Sequence, residues 1–248
     1  MKNTVLKFND YDVSALDFET PEFNNSKKQI QTIKLPIYEG GRSPLIQLPK
    51  MELDMYGIPS KSDYYKDDYQ RMFLKLPLNQ TLPAVKGLTE WLNQIDSKFG
   101  TPKAREQLFG KKGSKHLYQP LVRIPVGEEG KPNQDKHPYL KLKLTTKFPT
   151  NEITTQIFNQ KEDGKRASLE KVNDVDEFAQ FVRFKSKIKC MIQPSKLWMT
   201  NVSTSEPMYG IMFKLVQVMV FEQPNTHFNG QISFISSDDE EDESKSDE

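Results

Sequence analysis

Cysteine is all but missing from this chain. Cys190 is the one thiol among 248 residues, so no internal disulfide can form. The natural expectation is an intracellular, reducing setting such as cytoplasm, nucleus or a viral replication site. Histidine is scarce as well: three scattered residues make no ligand cluster, and neither a metal nor another cofactor is expected. Glycine does not gather around a phosphate cradle. The stretch GKKGSKH, residues 110–116, has two glycines but not the Lys-Ser or Lys-Thr ending of a nucleotide-binding loop. No apolar run has bilayer length, and the start MKNTVLKFNDYDVS lacks the apolar core of a signal peptide, so no membrane partner is expected. A nucleophile elbow, an H-E-x-x-H helix and a Cys–His pairing are also absent. An enzyme needs such a constellation; a chain without one is expected to act by binding.

What the chain does have is aromatic area and unevenly placed charge. Fifteen Phe, nine Tyr and two Trp supply apolar surface for a core, while 28% of residues are charged and the mean hydropathy is −0.70. The net charge of +1 conceals an asymmetry. The last thirteen residues, SSDDEEDESKSDE, hold eight acids and one lysine, which leaves 34 basic and 26 acidic residues, about +8, on the rest. That tail has no apolar residue after Ile235 and repels itself, so disorder is expected. The expected organisation is a domain over 1–235, with an N-terminal elaboration, and a disordered acidic tail over 236–248. Tethered beside a basic body, the tail competes for its cations; a solubility device is the plain alternative.

Taken in order, residues 2–8 suit a short strand, 10–28 a loop or arm, and 30–38 an alternating strand. Leu45–Leu48, between Pro44 and Pro49, is confined to an edge or a short strand. Residues 50–70 have no clear period, and 71–78 alternate, with Met72, Leu74 and Leu76 on one face. The long helix is predicted at 83–99: Pro83 suits the first turn, Leu88, Trp91, Leu92, Ile95 and Phe99 form one stripe, and Gly100 stops it. Trp91 therefore belongs to the core. A short helix follows over 102–109, another is capped by Asp174, and strands are expected at 117–124, 138–148 and 153–158. Many short strands with one long and one or two short helices make a β-rich α+β domain.

Two stretches alternate cleanly and carry lysine on one face. In 138–148, Leu140, Leu142 and Leu144 oppose Tyr139, Lys141, Lys143 and Lys147. In 182–192, Val182, Phe184, Ile188, Cys190 and Ile192 oppose Arg183, Lys185, Lys187 and Lys189. Pro194 is expected to end that run, with Lys196-Leu197-Trp198-Met199 as a second short one. A Ser- and Thr-rich loop over 201–207 leads to a long apolar strand, 209–221, interrupted by Gly210, Lys214 and Gln217. Phe184, Ile188, Ile211, Phe213 and Leu215 read as core. The loop lysines Lys111, Lys112 and Lys115 add a further basic patch. Cations on strands with aromatics between them are the ingredients of a single-strand surface: lysines follow phosphates while rings stack on any base. The stacking candidates are Tyr139 and Trp198, then Phe73 and Tyr209. The plain alternative for alternating lysines is a solvated face or a protected edge.

The C-terminal third also resembles replicative single-stranded-DNA-binding proteins of the phage and large-DNA-virus type. The resemblance lies in DVDEFAQF, VRFKSKIKCMIQPSKLWM and YGIMFKLVQVMVFE, followed by the acidic terminus. It implies an embellished OB-fold, a Greek-key barrel gripping single strands on a basic, aromatic face. It also implies weakly sequence-selective binding in replication, recombination or repair, with the tail meeting replication proteins. Tails of that family often end in an aromatic residue; this one ends Ser246-Asp247-Glu248. RNA is the alternative ligand, and a structural or assembly protein packaged in a virion is the alternative role.

Overall fold

Two long antiparallel strands form the spine of the computed structural model. It describes residues 5–19, 32–34, 36–38, 43–113, 115–127, 130–147, 149–160, 166–168, 172–200 and 205–222. The N-terminal strands are β1 (Val5–Lys7), β2 (Leu16–Phe18), β3 (Thr32–Lys34), β4 (Pro36–Tyr38), β5 (Leu45–Glu52) and β6 (Phe73–Pro77). The middle holds β7 (Leu117–Tyr118), β8 (Val122–Arg123), β9 (Tyr139–Leu144), β10 (Thr146–Lys147), β11 (Glu152–Ile153), β12 (Gln156–Gln160) and β13 (Arg166–Ser168). The spine is β14 (Lys187–Met199) and β15 (Met208–Glu222), and the helices are α1 (Asp68–Arg71), α2 (Pro83–Phe99), α3 (Pro102–Phe109) and α4 (Val175–Phe181).

Helix α2 forms where its stripe predicts, with Pro83 in the first turn and Gly100 as C-cap. Its apolar side, with Trp91 and Phe99, packs on one face of the sheet. Trp91 meets Phe213 edge-on with ring centres 6.1 Å apart, and Tyr11 at 5.8 Å closes the other side. Helix α4, capped by the Asp174 carboxylate on the Glu177 amide, adds Val175 and Phe178 to the same core. The core thus lies on one side of the sheet, and among the described residues the other side is open around β9, β14 and β15.

The sheet does not close, which corrects the expected OB-fold barrel. Eleven strands join in one mixed sheet whose main path runs β1-β5-β14-β15-β12-β13. Strand β14 accompanies β15 along most of one edge. On the other edge, β7 pairs with Met208–Tyr209, β9 with Phe213–Leu215 and β12 with Gln217–Val220, each in parallel. Three short strands in succession make the sheet fork at β15. The branch through β9 ends on β6 and β8, and no pairing among the described strands returns to β1.

Other local expectations change as well. Strand β5 is not an edge: it lies between β1 and β14, and Pro49 falls in a bulge where Gln47 and Lys50 face Met191 and Lys189. A bulge also carries Pro194 inside β14, so that strand continues instead of ending there. Segment 10–28 is not all loop, because Leu16 and Phe18 are buried on β2. The acidic tail, 236–248, lies outside the described residues. No described helix is long and apolar enough to cross a membrane.

Candidate nucleic-acid interface

Register decides which side chains reach the open face. On β14, Ile188, Cys190 and Ile192 point into the core, and Lys189, Met191 and Gln193 point away. One extra residue at the Pro194–Lys196 bulge shifts the alternation, so Leu197 and Met199 stay buried while Lys196 and Trp198 join the open side. Cross-strand pairing then gathers charge. Lys143 sits opposite Lys214 on β15 and opposite Phe73 on β6, and Lys141 faces Lys75.

The result is a cleft of about 1230 Å³ whose described lining includes Arg123, Lys141, Lys143, Lys196 and Lys214 but no Asp or Glu. Trp198, Tyr69 and Phe73 supply rings; Gln119, Gln193, Gln217 and several threonines supply neutral donors and acceptors. The cations sit on aromatic faces. Lys141 Nζ lies 3.7 Å from the centre of the Phe73 ring. Lys143 Nζ lies 4.7 Å from that of Tyr69 and donates to the Tyr69 carbonyl at 3.3 Å.

Concentrating these charges carries an electrostatic cost. Burial, then the neighbouring Arg123, Lys143 and Lys75, pulls the Lys141 ammonium down to about 8. Lys143 is lowered by burial and by Lys196. Burial likewise lowers Lys196, and lowers Lys75 together with Arg123 and Lys136. Crowded cations of one sign, held partly out of water in a cleft whose described lining holds no Asp or Glu, form a site that an anion stabilises.

Gly210 lets Trp198 lie flat on its neighbour strand. The two are registered across β14 and β15, and a β-carbon at 210 would stand 3.1 Å from the indole and 3.0 Å from the Gln119 carbonyl oxygen.

The structure brings together Lys141, Lys143, Lys196 and Trp198 from the expected set, and places Lys189 in an adjoining cleft. Lys185 occupies a turn with a φ of 69° and pairs with Glu52 at 2.9 Å. Lys187 is registered between Glu52 and Glu222. Arg183 lies in the same turn, which Ser186 closes by donating to the Arg183 carbonyl, so β14 starts later than the alternation implied. Phe184 is consequently 58% exposed and not core. Tyr139 is held by Tyr56 at 5.2 Å and by the Lys75 cation at 5.1 Å, outside the cleft lining. Tyr209 is buried and donates its hydroxyl to Phe99, which removes it as a stacking residue. Phe73 is 1% exposed beneath Lys141, with Tyr65 against it. Lys147 is exposed on the β10–β11 hairpin, and Lys111 and Lys115 are exposed near the end of α3. The side chain of Lys112 lies outside the described residues.

Sequence reasoning missed Arg123, Lys214 and Tyr69. Only Lys214 carried a signal, as the single cation in an otherwise apolar strand. Among the described residues, no group of three His, Cys, Asp or Glu is placed to hold a metal.

No family model matches the chain. An uncharacterized protein of Acanthamoeba polyphaga mimivirus is 23% identical over 228 residues, which covers 80% of this chain and 56% of that protein. The chain therefore spans little more than half of that relative's length. Among solved structures, gp2.5, the single-stranded DNA binding protein encoded by bacteriophage T7, superposes with a TM-score of 0.39 at 17% identity, covering 73% of this chain and 88% of that one. The single-stranded DNA-binding protein of bacteriophage Enc34 in complex with single-stranded DNA gives 0.34 at 15% identity, covering 83% and 96%. The resemblance to viral and phage proteins is distant in sequence and in structure.

Proposed function

We propose that this chain binds single-stranded DNA with little sequence preference and covers exposed strands in replication, recombination or repair, without catalysing a reaction. The observation that carries the reading is the gathering of five cations beside Trp198 in one cleft whose described lining holds no Asp or Glu. Phosphates relieve the mutual repulsion of Arg123, Lys141, Lys143, Lys196 and Lys214, and an indole stacks on any base. Residues 1–235 would form the binding domain. The tail from Ser236 to Glu248, net −7 by count, would compete for the same cations and meet replication proteins. Deleting it is expected to tighten single-strand binding at low salt; equal affinities with and without it would leave it a solubility device or a docking peptide.

The deciding experiment titrates the purified protein with labelled oligo(dT), oligo(U) and duplex at two salt concentrations. Tight, salt-sensitive binding of oligo(dT) with weaker duplex binding is expected. Preference for oligo(U) reassigns the ligand to RNA. Failure of all three to bind returns the lysines to solvation and the protein to a structural role.

A further inference from the structure

Two clefts on the open face meet at one residue. Gln217 lines both, and its amide donates to Gln156 Oε1 at 2.6 Å across β15 and β12. Beyond this neck lies a smaller cleft of about 360 Å³, walled by Phe158, Met191, Met219 and Phe221, with Lys189 at its rim. Two cations stand over the Phe221 ring: Lys50 Nζ at 4.5 Å and Lys189 Nζ at 5.7 Å from its centre. The described lining again contains no Asp or Glu. The smaller cleft thus repeats the chemistry of the Trp198 end, a ring with cations beside it.

The ladder sets the distance between the two rings. Trp198 pairs with Gly210, and Phe221 lies eleven residues further along β15. Eleven residues of strand span about 36 Å at roughly 3.3 Å each.

We propose that the two clefts form one track. A single strand stacks at Trp198, follows Lys143 and Lys196, passes the Gln156–Gln217 neck and stacks again at Phe221. This inference rests on reading the larger cleft as a single-strand site, and it adds the path and length of the ligand. Glutamine suits the neck, because its amide both donates and accepts and meets sugar, phosphate or base edge without fixing the sequence. At the stacked spacing of about 3.4 Å per nucleotide, about 36 Å holds about eleven nucleotides, and fewer of an extended strand. A tetranucleotide therefore reaches one station, and a dodecanucleotide reaches both.

The test compares oligo(dT) of about 4, 8, 12 and 16 nucleotides on the full chain and on two variants. Phe221→Leu keeps the apolar packing and removes the ring; Lys189→Gln removes a half-buried charge and stands in if the first variant melts early. The parent's affinity is expected to climb up to about 8–12 nucleotides and then level off. Each substitution should weaken the dodecamer about tenfold and leave the tetramer unchanged, whereas Trp198→Ala weakens both lengths. A plateau already at four nucleotides, or unchanged dodecamer affinity in the folded variants, overturns the track and leaves the larger cleft standing. A parent that binds no oligonucleotide overturns both readings together.

Discussion

If phosphates enter the cleft as proposed, Lys141 ties binding to proton uptake. Its ammonium titrates at about 8 in the free protein, and phosphates in the cleft restore it toward the ordinary lysine value. Complex formation then takes up a proton above pH 8, so single-strand affinity is expected to fall between pH 8 and 10 and to stay flat from 6 to 7. A titration series in one buffer at constant salt checks this. Folding carries the opposite sign. The unfolded lysine holds its proton up to about 10.4, so Lys141 opposes folding most fully below pH 8 and progressively less up to pH 10. Lys141→Met, which keeps a contact with the Phe73 ring, is expected to leave the melting temperature at pH 7 unchanged or higher while weakening binding. Trp198 offers a second measurement. Trp91 is buried at 5% exposure, so quenching of tryptophan fluorescence by oligonucleotide should come from Trp198 and vanish in Trp198→Ala, with a binding loss of about 1–3 kcal/mol. Gly210→Ala, which crowds the indole, should reduce the quenching with both tryptophans still present.

Among the elements, α2 depends on one carboxylate. Asp96 accepts from the backbone amides of Leu121 and Val122 and from the Tyr118 hydroxyl at 2.8–3.3 Å, and so fastens the segment leading to β8 onto the helix. Burial raises its carboxyl above the usual range despite those donors. Asp96→Ala leaves two part-buried amides without their acceptor and should cost about 2–4 kcal/mol, read by chemical denaturation. Helix α2 itself was legible in the sequence, because a stripe at three- and four-residue spacing with Pro83 and Gly100 at its ends has one reading. The alternation of β9 was legible for the same reason. The bulges at Pro49 and Pro194 were not: period-two logic has no place for an extra residue, and each proline read as a terminator. Without the second bulge, Lys196 and Trp198 would fall on the core side. The cleft itself was only half visible, since Arg123, Lys143 and Lys214 become neighbours through strand pairing across some ninety residues of chain. Closure into a barrel depends on which edges pair, and no local pattern records that.

For the molecule as a whole, the charge of the cleft predicts a salt law. If all five lining cations meet phosphates, log affinity should fall with log salt at a slope near −3.5, about 0.7 per contact. Lys143→Gln should flatten that slope by about 0.7; a slope near zero in the parent would mean that the cations do not meet phosphate. The buried thiol gives a readout of another kind. Cys190 is 2% exposed on the core face of β14, and burial pushes its thiol up to about 12, so it is unreactive until the strand opens. As the sole cysteine, it makes the unmodified protein its own kinetic probe. The rate at which a thiol reagent captures Cys190 reports how often the middle strand of the sheet comes apart. A ligand on the opposite face of that strand should slow capture by the factor one plus its concentration over Kd, so occupancy can be timed without a label on either molecule.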